Sequence, residues 1–384
     1  MLHIVYIYPE ITIKGGADKV IVEKANYFAS HGYMVTLVTE AQMGRELSFP
    51  LDEKVRHIDM GIDFNRQYDY HGLPRLLTYL NMLRLYKKKL EATLIAERPD
   101  IVISAMGRSM DFITYISDGS VKIGEVHSVK ANVRSLNVME KRGAFHRLMA
   151  RIIRWHISRK VSRMDAMVLL TQQDADSWTE ARQTFVIPNA VPYIPELCST
   201  LDNKRILMVA RYNDAKGYNY MVDAWQQVHE RHPDWTLNVY GSGELHDDVI
   251  KWIQQRHLSN SMVLHEPVDN IMEQYLDSSI FVMSSRYEAF PMVLLEAMAC
   301  GVPCVSFDCP YGPRNIIRNE EDGLLVEYLN PQALAEGICR LIEDEQLRKH
   351  LGENARRNIQ RFSKDFVMKQ WEELFDNLTK NRRR

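Results

Sequence analysis

The sequence lacks an apolar run of the roughly 18 residues that a membrane-spanning helix needs. The stretch from Ile280 to Phe307 comes nearest, and Arg286, Glu288 and Glu296 interrupt it. No secretory leader is expected either. The N-terminus, MLHIVYIYP, reads as a core strand with no basic segment and apolar h-region before it, so the chain is expected to stay in the cytosol. Cysteine is scarce, with five residues, all in the second half. Cys300 ends a helical pattern and Cys304 begins in the next strand, so buried thiols are expected before a zinc site. Charge of one sign is absent: 48 Lys and Arg face 50 Asp and Glu, a formal net charge of -2, which gives no nucleic-acid signal. No Gly-x-Gly-x-x-Gly follows the first strand, which argues against a dinucleotide-dependent oxidoreductase. No Asp-x-Asp falls in a suitable strand-end loop, so no metal and no bound cofactor are expected.

What the chain does have is alternation. Short β-rich apolar runs fall at 3–9, 34–40, 55–60, 100–106, 122–128, 166–171 and 184–188, with helical patterns at 18–30, 74–97 and 140–161 between them. Residues 188–204, PNAVPYIPELCSTLDNK, hold three prolines and no periodicity, and read as a linker. The alternation then restarts at 205–211, 235–241, 262–267, 280–285, 303–308 and 323–327, and a helix-rich tail follows Pro331. Continuous apolar strands between amphipathic helices mean parallel sheets covered on both faces. The reading is α/β, two doubly wound Rossmann-like domains in tandem. In such folds ligands bind beyond the carboxyl ends of the strands, so the cleft between the domains is the expected site.

The unusual residues fall on those strand-end loops. Gly15 and Gly16 separate the first strand from a helix, where backbone N–H groups can approach a phosphate or simply make a turn. Arg211 ends a strand, and Lys216 sits just before Gly217 and the next helix; two fixed cations suit a diphosphate, or they are solvated loop charges. Gly241, in Gly241-Ser242-Gly243, is a third backbone approach point of low specificity. Glu288 follows the strand IFVMSS. Pro291 suits the first turn of the following helix. Glu296 faces into the apolar helix MVLLEAMAC, where a carboxylate needs a partner: a ribose diol, or a nearby backbone or arginine group. The backbone from Phe290 through Pro291 and Met292 to Val293, with N–H groups on all but the proline, marks a helix start that favours phosphate or sugar oxygens.

These segments, in this order, resemble a known family. YEAFPMVLLEAMACGVPCV is similar to the Glu-x7-Glu signature of the family 4 retaining glycosyltransferases, VARYNDAKG to their diphosphate-binding segment, VIPNAV to their Pro-Asn linker strand, and KGGADKV to their glycine-rich first loop. The resemblance covers nearly the whole chain and implies the GT-B fold. It implies an N-terminal acceptor domain at 1–190, a C-terminal nucleotide-sugar domain at 191–364, and a final helix at 365–384 that returns to the first. It also implies roles. Arg211 and Lys216 would hold the donor diphosphate and Glu296 the ribose hydroxyls. Glu288 would contact the transferred sugar. Phe290, Pro291, Met292 and Val293 would line the sugar and phosphate, Gly16 would approach the diphosphate, and His127 would contact the sugar near its 6-hydroxyl. DCPYGPRNII resembles members that use UDP-hexoses, so the donor is expected to be a UDP-sugar. Ala190 and Tyr311 depart from the commoner Gly and Thr. No protein nucleophile is implied; front-face attack would use the leaving phosphate as base.

The region Lys130 to Arg163 is strongly basic, with Arg134, Lys141, Arg142, Arg147, Arg151, Arg154, Arg159 and Lys160 against Glu140, and apolar residues interleaved. Arg84, Lys87, Lys88 and Lys89 add a second patch. Such faces suit an anionic membrane surface and a lipid-linked glycan acceptor, or are simply solvated. Two other functions fit the same architecture: a nucleotide-sugar epimerase, and a non-catalytic sugar-nucleotide-binding protein.

Overall fold

The computed structural model describes residues 1–12, 15–130, 139 and 143–382. The chain divides into two compact units, Met1–Pro188 with Met368–Arg384, and Asn189–Val367.

The first unit holds a seven-stranded sheet of β1 (His3–Tyr8), β2 (Met34–Thr39), β3 (Val55–Asp59), β4 (Ile101–Ser104), β5 (Val121–Glu125), β6 (Ala166–Leu169) and β7 (Thr184–Val186), in the order β3-β2-β1-β4-β5-β6-β7. Every pairing is parallel. The central strands IVYIY, IVIS and AMVL are apolar on both faces, because helices cover both. The helices of this unit are α1 (Gly16–Ser30), α2 (Gly72–Glu97), α3 (Ala144–Val161) and α4 (Gln172–Ala175). Tyr86, Leu90 and Leu94 of α2 join Ala150, Ile157 and Val161 of α3 in one buried cluster.

The second unit repeats the plan. Its strands are β8 (Arg205–Val209), β9 (Thr236–Tyr240), β10 (Met262–His265), β11 (Ile280–Met283), β12 (Cys304–Phe307) and β13 (Gly323–Val326), ordered β10-β9-β8-β11-β12-β13. Its helices are α5 (Tyr218–Arg231), α6 (His246–Gln255), α7 (Ile271–Leu276), α8 (Met292–Ala299), α9 (Pro331–Glu343) and α10 (Glu345–Asn358). Met221, Val222 and Trp225 of α5 meet Leu334, Ile338 and Leu341 of α9 in its core. In both units the first strand sits beside the fourth, so the sheet grows one way and then the other. In sheets of this order the switch point, beyond the carboxyl ends of those two strands, is where ligands generally bind. The final helix, α11 (Lys364–Arg382), supplies Phe375, whose ring lies 5.2 Å from that of Phe28 and 6.2 Å from that of Tyr33 in the first unit.

Residues 189–204 are irregular, as the prolines require, yet they are not a free tether. Val191 N–H donates to Phe362 O (2.8 Å), Ser199 N–H to Cys300 O (2.8 Å), and Arg356 donates to both Pro195 O and Ala299 O. The segment belongs to the second unit. Gly352 of α10 lies against Gly301, and a Cβ there would meet Gly301 O and, at 2.7 Å, Leu201 Cδ1. Gly→Ala inside an open helix gains up to about 1 kcal/mol. Here the clash decides the sign, and Gly352→Ala is expected to cost ~1–3 kcal/mol, read as a lower midpoint of urea unfolding.

Candidate active site

The second unit's site is built where β8 and β11 run side by side, with Ile280 opposite Ile206 and Phe281 opposite Leu207. Strand β8 stops at Val209, so Arg211 does not end the strand but lies in the loop beyond it. That loop is braced by the next one. Ala210 N–H donates to Tyr240 O (3.0 Å) and Tyr212 N–H to Ser242 O (2.9 Å). The approach is close enough that a Cβ at Gly241 would strike Ala210 O, and one at Gly243 would lie 2.6 Å from Tyr212 O. Gly241 is therefore required by packing of the Arg211 loop. Arg211 itself is exposed, and among the described residues no acceptor is bonded to its guanidinium.

A tight turn at Asp214–Lys216 then leads to Gly217, whose φ of 62° caps α5 in the left-handed region. The turn is stitched to the loop after β11. Ser284 Oγ donates to Lys216 O (2.9 Å) and Arg286 N–H to Ala215 O (2.7 Å). This fastening brings Lys216 Nζ to 2.6 Å from Glu288 Oε1, and Ser285 Oγ donates to the same oxygen at 2.7 Å. Both side chains are largely withdrawn from solvent, Lys216 at 23% exposure and Glu288 at 13%. Among the described residues, Oε2 of Glu288 receives no hydrogen bond and stays available as an acceptor. The Glu288 backbone is held by a bridge to Tyr311 and by Gly312 N–H at 3.0 Å. Tyr311 adopts a φ of 75°, a strained conformation for a bulky residue, at the position that departs from the family's commoner Thr.

Pro291 is the N-cap residue of α8, one place before its first turn, and Phe290 beside it is buried. The N–H groups of Met292 and Val293 open that helix and have no preceding turn of their own to bond. Glu296 lies one turn in. Tyr275 of α7 donates to its Oε2 at 3.1 Å. Burial, and then the Glu296 charge, push the Tyr275 hydroxyl well above the usual phenol range, so it stays a donor. The partner that an inward carboxylate demands is thus a tyrosine in part.

In the first unit, Gly15 is the N-cap of α1 with an ordinary extended backbone (φ -101°), and Gly16 is that helix's first, exposed residue. Asp18 already occupies the first turn and accepts the Tyr8 hydroxyl at 2.7 Å. His127 lies two residues past the end of β5 rather than in the strand, with Nε2 3.1 Å from Glu125 Oε1. Lys24 of α1, buried, donates to that same oxygen. Glu40, just past β2, is buried and pairs with Arg108 at 3.0 Å.

Ser285, Tyr275, Lys24, Glu125, Glu40 and Arg108 were not singled out in the sequence. The usable signal was a lysine in the apolar helical run VIVEKANYF and a glutamate in the strand KIGEV, each costly to bury without the other. The basic region fares unevenly. Arg134, Glu140, Lys141 and Arg142 lie outside the described residues. Lys130 bonds Glu180 (2.7 Å), Lys160 is buried over the Tyr115 ring, and Lys89 donates to Met60 O (2.7 Å), so these three are structural. Among the described residues, metal-ligand atoms gather only at His232, Cys339 and Glu343. That group precedes the start of β9, at the opposite edge of the sheet from Lys216, and Arg231 holds Glu343 at 2.6 Å.

Residues 195–358 match the family model described as glycosyl transferases group 1. The amylovoran biosynthesis glycosyltransferase AmsD of Erwinia amylovora is 27% identical over 380 residues, covering 95% of this chain and 97% of its own. An exopolysaccharide phosphotransferase of Streptomyces coelicolor is 38% identical over 226 residues; the match takes in 57% of this chain and only 24% of that protein. Among solved structures, a Staphylococcus aureus TarM mutant in complex with fondaparinux, α-GlcNAc-glycerol and UDP superposes with a TM-score of 0.77 over 98% of this chain and 100% of that one. Identity there is 15%, so that likeness is one of fold. The matched segment and the architecture support one class, a glycosyltransferase of the GT-B fold.

Proposed function

We propose that the chain transfers a hexose or N-acetylhexosamine, with retention, from a UDP-sugar to a glycan acceptor in cell-surface polysaccharide synthesis. The observation that carries this reading is the Lys216–Glu288 pair at the carboxyl ends of adjacent central strands, inside the matched segment. Lys216 and the unpaired Arg211 neutralise the diphosphate as negative charge grows on it. Each such contact supplies on the order of 2–4 kcal/mol of barrier reduction. Glu288 offers Oε2 to hydroxyls of the transferred sugar. Glu296, which accepts from Tyr275, receives the ribose diol. Backbone N–H groups of Phe290, Met292 and Val293 at the start of α8 take phosphate or sugar oxygens, Pro291 lining them, as does the Gly15–Gly16 turn. His127 contacts a sugar hydroxyl. The leaving phosphate oxygen takes the acceptor's proton during front-face attack, so no protein nucleophile is needed, and neither a metal nor a bound cofactor takes part. A role in polysaccharide synthesis agrees with the amylovoran biosynthesis glycosyltransferase AmsD, and a UDP-linked donor with the UDP bound by TarM.

The acceptor is proposed to be lipid-linked and met at the inner face of the cell membrane. Among the described residues no helix is long and apolar enough to cross a membrane. Surface contact is the alternative to spanning. Leu148, Ile152 and Trp155 of α3 follow one another at helical spacing and are exposed, Trp155 at 61%, with Arg147, Arg151 and Arg159 also exposed on that helix. Helix α2 repeats the motif. Leu73, Leu76, Leu77 and Leu80 form an exposed stripe, and Arg84, Lys87 and Lys88 follow it. Apolar residues beside cations suit the headgroup region of an anionic bilayer.

A donor screen tests the first reading. Nucleoside diphosphate release is expected with UDP-hexoses, as UDP, and not with GDP-sugars, as GDP. Lys216→Ala and Glu296→Ala should each lower kcat/KM by about 30- to 1,000-fold with the native fold retained by circular dichroism; near-normal turnover in both would remove the assigned site. Tyr275→Phe should raise the donor KM by about 2- to 12-fold with kcat unchanged. For the membrane reading, flotation with phosphatidylglycerol vesicles is expected to carry the protein, and Leu76→Asp with Trp155→Asp to release it. Equal flotation with neutral vesicles would sink the anionic-surface proposal.

A further inference from the structure

Three charged or titratable side chains of the first unit meet where no reading above needs more than one of them. Glu125 closes β5, Lys24 comes from the inner face of α1, and His127 from the loop after β5. Their side chains are 1%, 3% and 12% exposed. Both nitrogen partners converge on one oxygen, Glu125 Oε1, with His127 Nε2 at 3.1 Å. Lys24 is enclosed by the Trp371 ring, 4.4 Å from its Nζ, and the Tyr6 ring at 6.0 Å. Burial weighs against the Glu125 charge, but Lys24 and His127 overcome it and hold the carboxyl down at about 2.

A buried ion pair is a poor device for stability alone, since apolar residues of the same volume serve at least as well. This pair has another consequence. A carboxylate facing one ring nitrogen of a histidine dictates the tautomer: Nε2 carries the proton, and Nδ1 keeps a lone pair. Both ring nitrogens of His127 are buried and, among the described residues, neither makes a hydrogen bond of good geometry, but Nε2 has the carboxylate oxygen at 3.1 Å. Lys24 on the same oxygen means the ring meets a neutral ion pair, which orients it without adding net charge.

We propose that Lys24 and Glu125 are positioning residues for His127, fixing its ring with Nε2–H toward the carboxylate and the Nδ1 lone pair offered to a sugar hydroxyl. The proposal rests on the reading of His127 as a sugar contact. A sugar lacking that hydroxyl would leave Nδ1 buried and unpaired, so the pair also enforces selection for the hydroxyl.

Nitrogen-15 NMR of histidine-labelled full-length protein tests this, with His127→Ala identifying the His127 signals by difference. The unmodified protein is expected to show His127 in the Nε2–H form, and Lys24→Met with Glu125→Met to show a mixture of tautomers. The Nδ1–H form in the unmodified protein, or an unchanged tautomer in the double variant, overturns the proposal. The first of these needs no pair variant to fold. Kinetics separate it from the site reading, using UDP released from UDP-glucose and UDP-N-acetylglucosamine. The double variant should lose about 10- to 100-fold in kcat with donor KM little changed, and lose nothing further when added to His127→Ala. If His127→Ala alone turns over normally, the sugar-contact reading falls and the proposal with it. If His127→Ala is slow and the two losses multiply, positioning through His127 falls alone.

Discussion

The ammonium of Lys216 and the carboxylate of Glu288 depend on each other, and much of the second unit's local architecture exists to bring them together. Each is expensive to withdraw from water singly. Side by side, with Ser285 on the same oxygen, they become affordable at low exposure. The neighbouring features serve that meeting. Gly217 turns the chain where a side chain would collide with Ser284 O, Ser284 and Arg286 fasten the two loops, and Gly241 lets a third loop press against Ala210. The strained Tyr311 completes the bracket from β12's side. On the proposed reading, a bound diphosphate competes for Lys216 and a sugar hydroxyl takes up the freed valence of Glu288.

The same economy recurs in the first unit. Glu40 follows β2 and pairs with Arg108; Glu125 ends β5 and pairs with Lys24. Carboxylates placed at the carboxyl edge of a parallel sheet are each neutralised by a cation from another element. This arrangement keeps acceptor oxygens inside the protein without stranding bare charge. It also ties the loops to the helices and sheet beneath them, so polar groups are held on a rigid base rather than on free loops.

Much of this was legible in the sequence. All thirteen strand runs occur, because parallel strands buried on both faces write themselves as unbroken apolar stretches. Their ends were overestimated. Arg211 and His127 prolong the apolar pattern by eye but stand past the last ladder bond. The Glu-x7-Glu segment announced Glu288 and Glu296 as special; it could not announce Tyr275 or Ser285, whose importance is purely spatial. The Pro-rich stretch after Pro188 looked like a tether because irregular backbone has no period, and nothing local reveals that Arg356, more than 150 residues on, clasps it. The basic helix region was read as one face, whereas Lys130 and Lys160 turn inward to partners that only the fold supplies.

Helix α11 begins in the second unit and finishes in the first, where Trp371 covers Lys24 and Phe375 fills the space beside Phe28. During synthesis, then, the amino-terminal sheet emerges from the ribosome with a gap in its hydrophobic wall. That gap closes only after the whole of 189–367 has been made. The half translated first is the half finished last, and until then its apolar surface is a site where chaperones, or neighbouring nascent chains, can bind.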